Sequence, residues 1–171
     1  MPELEIRAAA PGDDGALRAL DEATWSPITT PAAPRPPGAG SYALSTRELV
    51  LVAASDGDVV GYVKLGSPTP LESNSHVVEV KGLAVDPGRQ GAGIGRRLMT
   101  AAADAARERG ARRLTLRVLA HNVGARRLYE ACGYEVEGVL RDEFLLDAHY
   151  VDDVLMALDL TRAEPSPAGT L

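Results

Sequence analysis

A chain of 171 residues with 45% apolar and 25% charged residues has the composition of one soluble globular domain around a single core. No window reaches the roughly 20 apolar residues that span a bilayer, so the sequence predicts no membrane protein. A net charge of −6 excludes a general nucleic-acid binder, which needs a basic surface, and suits either a cationic acceptor or solubility alone.

The chain opens with Glu3 and Glu5 where a signal peptide would be basic. Cys132 is the one cysteine, without a disulfide partner or the ligand spacing of a zinc site. Both features predict a cytoplasmic protein without a metal. Glu3 to Ala8 reads as a first strand carried by Leu4 and Ile6, broken by Pro11 and Gly12. Asp13 or Asp14 caps a helix whose apolar face is Leu17, Leu20 and Ala23 or Thr24. Residues 26–40 are proline-rich, which removes backbone donors and predicts a long loop, either a lid over a binding cleft or a simple insertion. A short helical piece is expected around Ser45 to Glu48. Leu49 to Ala54 and Val59 to Leu65 flank an Asp/Gly turn and predict a hairpin.

His76 to Val85 reads as a strand, and residues 90–109 as a glycine-rich turn feeding a helix with Leu98, Met99, Ala102, Ala105 and Ala106 inward. Arg113 to Leu119 alternates as a strand. A helix then starts near Asn122, with Ala125, Leu128, Tyr129 and Cys132 on one face and Gly133 at its end. Val136 to Leu146 and Tyr150 to Leu160 predict a last strand pair, and residues 161–171 an unstructured tail. The order of elements implies an α/β (α+β) fold: one domain over residues 1–160, a mixed and mostly antiparallel sheet with helices on both faces.

The turn Gln90-Gly91-Ala92-Gly93-Ile94-Gly95 carries the chemistry. Glycines let consecutive amides face one concavity, and the helix that follows adds free N–H groups and its positive dipole end, a setting for a pyrophosphate. Arg96 and Arg97 add charge. A Walker loop is excluded because Arg96-Arg97 stands where Lys-Ser or Lys-Thr is required. A dinucleotide fold is disfavoured because three strands precede the turn, two of them in a hairpin.

Gln90, Gly93 and Gly95 after the strand EVKGLAV resemble the coenzyme A signature of the GNAT family of N-acetyltransferases. NVGARRLYEACGYEVEG resembles that family's Asn-to-Tyr helix and next strand. The resemblance covers about residues 3–160. It implies that acetyl-CoA is the cosubstrate and no metal takes part. The backbone of Leu83, Ala84 and Val85 would hold the pantetheine arm, and Gln90, Gly91, Ala92, Gly93, Ile94, Gly95 and Arg96 the pyrophosphate. Asn122 would contact the arm, and Tyr129 would lie near the sulfur.

Acetyl transfer to an amine needs a base, stabilisation of a developing oxyanion, and a proton for the departing thiolate. Tyr129 is the acid candidate, against its alternative as a core tyrosine. Glu79, four residues before Leu83, is the base candidate, against a solvated strand glutamate or a water relay. His76, His121 and His149 belong to no motif. Cys132 has no partner for covalent catalysis and reads as a core residue. Asp142, Glu143, Asp147, Asp152 and Asp153 form either a lure for a cationic acceptor or a solvated face. The expected reaction is direct transfer in a ternary complex, to a small amine or amino-acid-like molecule or else to a protein amino terminus. A non-catalytic acyl-CoA sensor is the rival class, and a homodimer is compatible with the fold.

Overall fold

The computed structural model describes residues 3–34, 36 and 48–162. Seven strands and three helices follow one another as β1 (Leu4–Ala8), α1 (Asp14–Thr24), β2 (Leu49–Ser55), β3 (Asp58–Gly66), β4 (Val77–Val85), α2 (Ile94–Glu108), β5 (Arg113–Leu119), α3 (Val123–Ala131), β6 (Glu135–Leu146) and β7 (His149–Asp159). The sequence boundaries differ from these by a few residues at most. Of the helical piece expected at 45–48, only Glu48 is described, and it is not helical. The expected tail contributes Thr161 and Arg162 and otherwise lies outside the described residues.

The strands form one sheet in the order β1-β2-β3-β4-β5-β7-β6. Every neighbouring pair is antiparallel except β4 and β5. Asp56 and Gly57 join β2 to β3 with φ values of 53° and 89°, a two-residue turn with both centres left-handed that matches the twist of a hairpin. The mixed sheet expected from the order of elements is therefore present, and alternation along β2 shows that both its faces are covered. Val50 and Val52 pack with Leu17 and Leu20 of α1 and Tyr62 of β3, whereas Leu51 and Ala53 pack with Ile94, Leu98 and Met99 of α2. Tyr129 of α3 lies in the second cluster. Burying Leu17 and Leu20 contributes about 1.5–3 kcal/mol each to seating α1. At its start, Asp13 accepts from Arg7 at 2.7 and 2.9 Å and from the Ala10 amide at 2.7 Å, which ties the helix to β1.

The geometry that matters lies between β4 and β5. Their pairing runs from Val77/Arg113 to Val80/Leu116 and stops there, although β4 continues to Val85. On its other side β4 stays paired to β3 from Glu79 to Val85, with one irregularity: Lys64 faces Gly82 and Leu65 faces Val80, leaving Lys81 as an extra residue. Such a bulge bends its strand and increases the local twist. It falls where β4 parts from β5, so a gap opens in the middle of the sheet.

Candidate active site

On one side of the gap lies the turn from β4 into α2. Asp86 accepts the Gly88 amide at 2.8 Å, and the Gln90 side chain donates to the Val85 carbonyl at 3.3 Å, folding the turn back on the strand end. Gly91 and Gly93 have φ of 80° and 79°, and a Cβ on either would meet nothing within 4 Å. Both glycines are thus required by backbone conformation, and both face open space. Gly95 differs: a Cβ there would lie 3.1 Å from Leu128 Cδ2, so its small size lets α3 approach α2. The first helical bond of α2 runs from the Arg97 amide to the Gly93 carbonyl at 3.1 Å. Among the described residues, the amides of Gly91, Ala92, Gly93, Ile94, Gly95 and Arg96 have no backbone acceptor. Six N–H groups without a backbone acceptor, running into a helix start, can bind two phosphates. The two cations behave differently from expectation. Arg97 donates to the Leu4 carbonyl at 2.7 Å, because its place one turn into α2 turns it toward β1. The Arg96 side chain faces the groove between α2 and Cys132, so its amide is what belongs to the cradle.

Leu83, Ala84 and Val85 pair with β3 on one side and have no strand partner on the other. Their backbone forms the edge along which an extended amide-bearing arm can hydrogen-bond. Across the gap, Asn122 caps α3 by accepting the Ala125 amide at 3.2 Å, so its carbonyl oxygen is engaged with the helix. Tyr129 is buried, with its ring 6.0 Å from that of Tyr134. No hydrogen-bond partner meets its hydroxyl among the described residues, and burial together with nearby Cys132 pushes its phenol up to about 12. It remains a proton donor at neutral pH. Tyr134, which sequence reasoning passed over, is a second buried phenol with an unpartnered hydroxyl, also shifted upward by burial.

On the α1 face, Glu79 lies between Gly66 and Thr115 in register and forms an ion pair with Lys81. Tyr62 donates to Asp21 of α1. Neither Asp21 nor Tyr62 belongs to a motif; the available signal was a carboxylate one position after Leu20, on the inward face of an amphipathic helix. His121 Nε2 donates to the Pro27 carbonyl at 3.1 Å, and His149 Nδ1 lies 2.8 Å from the Asp147 carbonyl. His76 opens β4 at the far end and lines a groove of about 890 Å³ with Arg112 and Arg113. The acidic residues of the last hairpin divide. Asp153 is buried and paired with Arg117, which Glu143 also approaches at 3.4 Å, while Asp152 accepts the Asp142 amide at 2.8 Å. Cys132 is half-buried, and burial pushes its thiol up. Among the described residues no group of three or more His, Cys, Asp or Glu could hold a metal ion, and no helix is long and apolar enough to cross a membrane.

This arrangement can be set beside known proteins. The chain is 37% identical over 87 residues to an uncharacterised N-acetyltransferase, YhfO, of Bacillus subtilis, a match covering 51% of this chain and 58% of that one. It is 29% identical over 121 residues to the L-amino acid N-acyltransferase MnaT of Escherichia coli, covering 70% of each chain. The fold superposes with a TM-score of 0.76 on the acetyltransferase yncA of Salmonella typhimurium, solved with acetyl-CoA, at 23% identity over 98% of this chain and 99% of that one. The profile of the acetyltransferase (GNAT) family matches residues 17–134, covering both the cradle and the Asn-to-Tyr helix. The chain belongs to the GNAT acetyltransferase family.

Proposed function

We propose that the protein transfers acetyl from acetyl-CoA to a primary amine of a small, amino-acid-like acceptor, by direct attack with both substrates bound. The observation that carries this reading is the run of unaccepted amides from Gly91 to Arg96 beside a β4 edge that β5 leaves open. The left-handed, unobstructed Gly91 and Gly93 fit a pyrophosphate, since no side chain fills the concavity. The relative named as an L-amino acid N-acyltransferase supports an amino-acid-like acceptor.

When bound, acetyl-CoA supplies an acetyl group activated as a thioester. The chain's own groups divide the remaining work. The amides of Gly91 to Arg96 hold two phosphates, and the edge from Leu83 to Val85, with Asn122, orients the arm. Glu79 is the carboxylate on β4 that takes a proton from the acceptor's ammonium. Tyr129 holds at its Oη the proton that a departing thiolate requires.

Release of free thiol from acetyl-CoA, followed on addition of primary amines, L-amino acids or peptides with free amino termini, tests the reading. Stimulation by small amines or amino acids is expected. Stimulation by peptides alone would assign the protein-directed reaction, and coenzyme A binding without stimulation by any acceptor would make the protein a sensor.

A further inference from the structure

We propose that Asp21, held by Tyr62, receives the ammonium of the acceptor, which is therefore a primary alkylamine that is protonated in solution. The proposal rests on the transferase reading above and assigns its acceptor side. Tyr62 stands opposite Ala84 in the β3–β4 register and projects to the α1 face. A Cβ on Gly82 would lie 3.7 Å from both the Tyr62 hydroxyl and its Cε2, so the tip of the ring rests over Gly82. Gly82 is the second residue beyond Val80, the last residue of β4 paired to β5. The phenol and the carboxylate that accepts from it thus sit over the point where the sheet opens, on the face opposite α2.

The Tyr62 bond engages Oδ1 of Asp21. Among the described residues Oδ2 has no hydrogen-bond partner, and the residue is only partly buried, so one carboxylate oxygen is left to accept an N–H. Trp25, which follows the last residue of α1 with extended backbone, is 39% exposed and donates its indole N–H to the Ala32 carbonyl at 2.9 Å. The segment that follows runs from the end of α1 to the His121 contact at Pro27, just past the end of β5. Charged side chains on the α1 face of the sheet include Lys64, Glu79 and Lys81; Lys64 pairs with Glu48 and Lys81 with Glu79, and among the described residues Asp21 has no ion-pair partner.

The test compares thiol release from acetyl-CoA with phenethylamine, protonated at neutral pH, and with 4-methoxyaniline, largely uncharged there. Coenzyme A affinity is measured in parallel by calorimetry. A hydrogen bond to a charged group is worth enough that Asp21→Asn is expected to lower kcat/KM for phenethylamine about tenfold or more, and for 4-methoxyaniline less than about twofold. Tyr62→Phe is expected to raise the KM for phenethylamine by a smaller factor, since it frees the carboxylate without removing it. Equal losses with both amines would make Asp21 a structural residue and overturn the proposal. Thiol release by the wild-type protein with neither amine, at intact coenzyme A affinity, would overturn the acceptor class while the cofactor reading stands. A wild-type protein that does not bind coenzyme A would overturn the transferase reading itself.

Discussion

Tyr129 meets two demands at once. Its ring is part of the hydrophobic cluster under α2 and α3, and its hydroxyl has no hydrogen-bond partner among the described residues. Removing the hydroxyl alone separates the two. Tyr129→Phe is expected to keep the fold and coenzyme A affinity and to lower turnover by about ten- to a thousandfold, measured by thiol release under conditions where chemistry limits the rate. Turnover within twofold of wild type would return Tyr129 to the core. The direction of its shift adds a pH signature. A donor must be protonated, and a phenol pushed up to about 12 stays so. In the wild type, turnover should therefore show no alkaline loss from this group until pH approaches that value. Tyr129 was visible as a candidate in the sequence because its helix carries a family pattern. Asp21 and Tyr62 were not, because their role depends on a contact between residues 41 positions apart that no local spacing encodes. Arg97 was misread for the converse reason: its charge was visible in the sequence, but the partner that claims it, the Leu4 carbonyl, is 93 residues away.

At the level of elements, hydrophobic periodicity predicted the strands and helices well. Alternation marks Arg113–Leu119 to the residue, and the glycine turn marks the start of α2. What periodicity cannot show is the bulge at Lys81, because an extra residue alters pairing without altering composition. Nor does it show why Gly61 is needed. A Cβ on Gly61 would lie 2.9 Å from the Ala84 carbonyl oxygen and 3.2 Å from Leu98 Cδ1, so glycine lets the first turns of α2 lie flat on β3. Gly61→Ala is expected to destabilise the fold by about 1–3 kcal/mol, seen as a lower urea midpoint at unchanged m-value. Because the contact is to a backbone oxygen, a flexible neighbour cannot relieve it. An unchanged midpoint would mean that the strand and helix have room to separate and that the seat of α2 is not set here.

Across the whole molecule, one asymmetry organises the candidate site: a sheet continuous along β1 to β4 parts from β5 beyond Val80, with a run of amides lacking a backbone acceptor at the start of α2 and the Tyr62–Asp21 pair on the α1 face. The proposed reading gives the α2 face to the donor and the α1 face to the acceptor, so each half should be perturbed without the other. The central claim is that the amides of Gly91 to Arg96 bind the pyrophosphate of acetyl-CoA. Calorimetric titration of coenzyme A and of pantetheine, which lacks the phosphates, tests it most directly in the wild type and in Gly93→Val, whose folding is checked by its Tm. Two or more charge-assisted bonds predict that the wild type prefers coenzyme A by about a hundredfold or more. In folded Gly93→Val, which puts a branched side chain at φ of 79° into the open concavity, most of that preference should vanish while pantetheine affinity holds. Equal wild-type affinity for the two ligands, or an undiminished preference in the folded variant, would contradict the account.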